Sequence, residues 1–249
     1  MTEQNMQEYP PILECHTLRK VYDAQPALQG ISFAVAQGRI LGLLGPNGSG
    51  KTTLIKLAAG LLKPTAGEIL IGGRKPGLDS KRVVSYLPDR NFLDGDMTFH
   101  DACRMFRSFF EDFDEARAQR MLSDLGIDPK KRFKTLSKGN REKVQLILVM
   151  SRQSWLYLLD EPIAGVDPAT RDYILNTIIQ NRNPQATVII STHLIADVEQ
   201  VLDDVLFLKD GMVALYNSAE AVRKENGKSV DEVFREIYAY HPQMNMPYA

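Results

Sequence analysis

Apolar positions come first in short runs broken by turn residues. Residues 12–22 alternate partly, and within 31–35 Ile31, Phe33 and Val35 share one face, so both segments read as strands. Gln37-Gly38 is a turn signal, and a strand over 39–44 follows it. Connections this short leave no room for crossover helices, so the opening is expected to be antiparallel. A helix is predicted over 51–62 and further strands over 67–71 and 83–87, with Gly72, Gly73, Pro76 and Gly77 between those two strands.

The period changes after Pro88. Thr98 is placed to cap a helix, and Phe99, Ala102, Cys103, Phe106, Phe109, Phe110 and Phe113 recur at helical spacing. Helices are predicted over 114–125 and 139–152, the second with Val144, Ile147 and Leu148 as its apolar face. Strands then alternate with helices: strand 155–159, helix 168–182, strand 187–191 and helix 194–202. That alternation predicts a parallel, buried sheet. A hairpin over 204–216 turns at Asp210-Gly211, and helices over 219–225 and 230–240 close the chain. The expected architecture is α/β, with a mainly parallel core, an N-terminal antiparallel β subdomain and a helical subdomain inserted over about 92–152. It forms one domain over 12–240, with tails at 1–11 and 241–249.

Composition narrows the classes. Apolar residues make up 44% of the 249 positions and charged ones 24%, enough apolar material for a sizeable core. Thirty Lys and Arg against 31 Asp and Glu leave no basic surplus, so no nucleic-acid partner is expected. Cys15 and Cys103 cannot build a disulfide framework and read as small buried hydrophobes in a reducing compartment. Residues 1–8 are polar and acidic, which does not fit a signal peptide. No apolar run approaches the roughly 18 residues of a membrane span, so a membrane role is expected to need a partner.

Two segments carry chemistry. Gly45-Pro46-Asn47-Gly48-Ser49-Gly50-Lys51-Thr52-Thr53 fits the phosphate-loop spacing, between a predicted strand and a predicted helix. Its glycines let successive N–H groups turn toward phosphate oxygens, and the helix start adds its positive end. Lys51 supplies charge to the β- and γ-phosphates, and the Thr52 hydroxyl is placed to ligate Mg²⁺. The expected ligand is a magnesium nucleotide, ATP. The second segment is the apolar run 156–159, which ends in Asp160 and Glu161. Carboxylates at the edge of a core need partners, and this strand end lies where parallel sheets bind ligands. Asp160 is expected to hold the metal and Glu161 to polarise an attacking water. His193 follows the neighbouring strand and has two readings, a γ-phosphate contact or an ordinary structural histidine.

In this order the motifs resemble the ATP-binding subunits of ABC transporters, over roughly residues 12–216. Residues 45–53 look like the Walker A loop of that P-loop NTPase family, and 157–160 with Glu161 like Walker B and the catalytic glutamate. Leu136-Ser137-Lys138-Gly139-Asn140 is similar to the signature LSGGQ, Gly165-Val166-Asp167-Pro168 to the D-loop and His193 to the switch histidine. Tyr22 stands in the place of the aromatic residue that stacks on adenine. The resemblance implies that Ser137 and Gly139 reach the γ-phosphate held by a second subunit, so that two subunits enclose two ATP molecules head to tail. Ser137 also reads as a plain helix cap.

Two departures stand out. Asp89 occupies the usual glutamine position; it can meet Mg²⁺ through water but cannot donate as an amide does. Lys138 and Asn140 replace Gly and Gln in the signature. Phe106, Phe109, Phe110 and Phe113 read either as core or as a groove for a membrane partner's helix. The leading expectation is an ATPase subunit at the cytoplasmic membrane face, driving a separate transmembrane permease, an exporter rather than an importer. A non-transport ABC-type ATPase and an ATP sensor without turnover are the alternatives. Neutral charge and a single cassette argue against the first, and Glu161 against the second.

Overall fold

The computed structural model describes residues 10–239; the outer parts of both expected tails, and Tyr240 at the end of the predicted last helix, lie outside the described residues. Strands β1 (Leu13–Tyr22), β2 (Gln25–Val35) and β4 (Ala66–Ile71) form an antiparallel sheet in the order β2-β1-β4. Strand β3 (Ile40–Leu44) does not belong to it: the antiparallel opening expected holds for β1 and β2, and the expectation for 39–44 is corrected. It lies inside a second sheet, between β7 (Thr187–Thr192) and β8 (Asp204–Lys209), and is parallel to both. The reason is its composition: all five residues are buried, so it needs cover on both faces. Strands β5 (Val84–Leu87) and β6 (Leu156–Asp160) extend this sheet in parallel, and β9 (Met212–Ser218) closes its far edge antiparallel to β8.

Strand β2 begins at Gln25, well before the predicted strand, because Asp23 and Ala24 turn the chain at φ 42° and 68° with no glycine to announce it. Helix α1 (Lys51–Ala58) is shorter than expected, and Gly60 turns away at φ 68°. Helix α2 (Leu78–Val83) was hidden among turn residues; its first turn is held by a Gly77 N–H bond to Ser80 Oγ at 2.9 Å.

The inserted helices are α3 (Phe99–Phe109), α4 (Glu115–Asp124) and α5 (Lys138–Met150). Thr98 caps α3 as expected: its backbone N–H donates to Asp101 Oδ2 at 2.9 Å, and Asp101 N–H returns the bond to Thr98 Oγ1. The aromatic set divides between its two readings. Phe106 and Phe113 are buried, with ring centroids 5.3 Å apart, while Phe109 ends the helix at 75% exposure. Phe110 lies between, under the Arg152 guanidinium at 3.8 Å. Buried Arg152 also donates to Val84 O (2.6 Å) and Asp112 Oδ1 (3.0 Å), tying the insertion to β5.

Helix α6 (Pro168–Asn181) follows β6. Helix α7 (Ile195–Val198) is one turn only, not the longer helix expected. Helices α8 (Ala219–Asn226) and α9 (Val230–Tyr238) pack against the hairpin. Tyr157 and Leu159 of β6 join a core shared with the inserted helices, while Leu156 and Leu158 join one shared with α1 and the antiparallel sheet. The parallel sheet is thus buried on both faces. Among the described residues no helix is long and apolar enough to cross a membrane.

Candidate active site

Parallel register brings four strand ends together. Leu44 of β3 pairs with Thr192 of β7, Asp160 of β6 with Ser191 of β7, and Leu87 of β5 with Leu159 of β6. The segments that follow are the phosphate loop, Glu161, His193 and Asp89.

Two of the loop's glycines are required by space. A Cβ at Gly45 would lie 2.5 Å from Leu208 O, and one at Gly50 would lie 2.6 Å from Ala27 O. Gly50 also stands at φ 108°, which side chains avoid. It is the residue before α1 and offers no side-chain cap, so the first helical N–H groups keep their donors for an anion. Lys51 runs back under the loop and donates to Gly45 O at 2.7 Å and Pro46 O at 3.1 Å. Burial lowers its pKa, opposed by the charges of Glu161 and Asp160.

Asp160 is fully buried. Its Oδ1 accepts from Ser191 Oγ at 2.6 Å and from Thr52 Oγ1 at 3.1 Å, while Oδ2 is buried with no partner. Burial pushes its carboxyl above the ordinary range; the Ser191 and Thr52 bonds oppose this, and the Asp89 and Glu161 charges add to it. An orphaned buried carboxylate oxygen beside a threonine hydroxyl suits a hard divalent cation. Among the described residues no group of three or more His, Cys, Asp and Glu could hold a metal alone. A cation here would therefore complete its shell with phosphate oxygens and water, as Mg²⁺ does.

Glu161 has φ 50°, a left-handed backbone uncommon for its type, held by N–H bonds at 3.0 Å to Ser191 O and Ser191 Oγ. This turn sets its carboxylate 3.5 Å from Lys51 Nζ and 3.0 Å from His193 Nδ1. Glu161 and His193 thus meet, a contact that sequence spacing alone did not show. Ser191, which positions both acids, was missed as a site residue; its signal was a hydroxyl pair, Ser191-Thr192, ending an otherwise apolar strand.

Of the other predicted residues, Asp89 borders this cluster, while among the described residues Tyr22, Ser137 and Gly139 are not bonded to it. Tyr22 is exposed at the end of β1, with Lys20 Nζ 5.1 Å from its ring centre. Asp89 is exposed and borders a polar cavity of about 330 Å³, which Glu161, Lys138 and Glu142 also line. Ser137 caps α5, its Oγ accepting from Asn140 N–H at 3.3 Å. Gly139 faces Thr170, whose Oγ1 would lie 3.4 Å from an added Cβ. Among the described residues no hydrogen bond or ion pair joins Ser137 or Gly139 to the phosphate loop.

A phosphate loop between β3 and α1, with a buried acid on β6, defines a P-loop nucleotide hydrolase carrying an inserted helical lobe. The ABC transporter family profile matches residues 28–164, and the chain belongs to that family, as an ATP-binding subunit with ATPase activity. An uncharacterized ABC transporter ATP-binding protein of Methanocaldococcus jannaschii is 31% identical, over 85% of this chain and 79% of its own length. The SkfA peptide export ATP-binding protein SkfE of Bacillus subtilis is 30% identical, over 80% of this chain and 86% of its own. The solved structure of an ATP-binding subunit of an ABC transporter superposes with a TM-score of 0.80 at 28% identity, over 91% of this chain and 99% of that one.

Proposed function

We propose that this chain hydrolyses magnesium ATP with Glu161 as the general base, works in pairs, and drives a separate membrane permease from the cytoplasmic face. The observation that carries the reading is the placing of the Glu161 carboxylate between Lys51 and His193, one residue after Asp160 with its unpartnered oxygen. On ATP binding, Lys51 exchanges two loop carbonyls for β- and γ-phosphate oxygens, and the loop 45–50, apart from Pro46, which has no N–H, presents N–H groups to the phosphates with Thr53 in the first turn. Thr52 and Asp160 would hold Mg²⁺, with Asp89 contacting it through water. A magnesium ion bound there neutralises charge that develops on the phosphates. Glu161 accepts the proton of the attacking water, and His193 contacts the γ-phosphate. Tyr22 stacks on the adenine.

The signature supplies the other half of the site. Ser137 is bonded within its own helical segment and Gly139 packs on Thr170, which leaves them to close over the nucleotide of a partner subunit. A second copy or a related chain fits as the partner. The functional unit is the domain over 12–240. Export is the favoured direction, supported by Lys138, Asn140 and Asp89 at positions where the family usually has other residues, and by the similarity to a peptide-export subunit.

The experiment is phosphate release from the purified chain. Glu161→Gln should lower turnover by about 10²- to 10⁴-fold, the range a positioned base contributes, while ATP still binds. Unchanged turnover would remove Glu161 from the role.

A further inference from the structure

Lys138 stands where the signature pattern LSGGQ carries glycine, so its side chain is an addition to that pattern. It opens α5 directly after the Ser137 cap and is exposed. Its Nζ donates to Gly165 O at 3.1 Å and lies 3.8 Å from Glu142 Oε1. Gly165 is shaped to receive it: φ is 71°, and a Cβ there would stand 2.5 Å from Lys138 Nζ. Gly165 belongs to the short loop from Glu161 to Asp167. That loop is pinned at one end by the Ala164 N–H bond to Glu161 O, 3.2 Å. At the other end Asp167 caps α6, accepting from Thr170 N–H at 3.0 Å. Gly139 packs on the same cap, with Thr170 Oγ1 as its nearest neighbour.

We infer that Lys138 is a positioning residue: it clamps the loop carrying Glu161 to the start of the signature helix, so that the two move as one body. Its ammonium takes the contact that a second signature glycine would leave empty, and it acts on Glu161 through the chain at Gly165 rather than by touching ATP in its own subunit. Which nucleotide the clamped unit serves rests on the two-subunit reading above; the clamp itself does not.

The test uses the full chain in two measurements. In nucleotide-free protein, Lys138→Met should speed amide hydrogen exchange across residues 161–167 by about fivefold, with exchange elsewhere unchanged, because it removes a tether from a short loop. In steady state it should lower kcat by about tenfold while half-saturation by ATP moves less than about twofold, since misplacing a base costs turnover and not ground-state binding. Lys138→Arg keeps a donor of similar reach and should recover most of both losses. Exchange unchanged in Lys138→Met, or kcat equal to the parent's, overturns the inference. So does an equal loss in Lys138→Arg. A Glu161→Gln chain that stays monomeric with ATP removes the two-subunit reading, and is told apart because the exchange comparison needs no dimer.

Discussion

The phosphate loop and the signature segment are both glycine-containing turns that open a helix, yet they are built differently. Around the loop, Gly45 and Gly50 are locked by backbone carbonyls, Lys51 is buried, and Asp160 is bonded by Ser191 and Thr52. The signature segment is exposed or half-buried, and its side-chain hydrogen bonds run to α5 and the Gly165 loop. The first region brings its charged and hydroxyl groups together by itself. The second is ordered only as a helix start, which fits the proposed role as a lid for another molecule's phosphate.

That contrast predicts different losses on each side. Lys51→Ala removes the buried cation of the loop and should weaken ATP binding by about a hundredfold or more, since charge-assisted bonds in such sites contribute several kcal/mol; a nucleotide titration measures it. Gly50→Ala adds a Cβ at φ 108° against Ala27 O, and the strain of about 1–3 kcal/mol should appear in both melting temperature and ATP affinity.

Asp160 gives a pH signature. Its folded carboxyl is raised above the unfolded value, so the folded chain binds more protons than the unfolded one between those values. Its contribution to nucleotide-free stability therefore improves as pH falls through that window, while metal-dependent ATP binding weakens. Asp160→Asn should flatten the first dependence in denaturation measured against pH.

On the signature side the effects should be smaller. Ser137→Ala loses a helix cap, about 1 kcal/mol of stability, and should lower turnover while leaving ATP binding by the isolated chain unchanged. Equal loss of binding would place the signature over its own loop and dissolve the contrast.

The loop and the acids were legible in the sequence because their chemistry is local: spacing alone puts a lysine and a hydroxyl after the glycines, and two carboxylates after an apolar run. The placement of β3 was not, because pairing order depends on which faces must be covered and not on connection length. Helix α2 and the start of β2 were masked by turn residues used inside or beside regular structure. The Glu161–His193 contact and the Lys138 clamp join residues that are close only after the sheet has formed. The aromatic spacing of the insertion fits both core and groove, and burial divides it, with Phe106 and Phe113 in the core and Phe109 exposed.

The most direct test of the half-site account is the size of the Glu161→Gln chain by light scattering, with and without magnesium ATP. Slowed hydrolysis should trap the closed pair, so a dimer with ATP and a monomer without it is the predicted result. A chain that binds ATP and remains monomeric at saturation would contradict it.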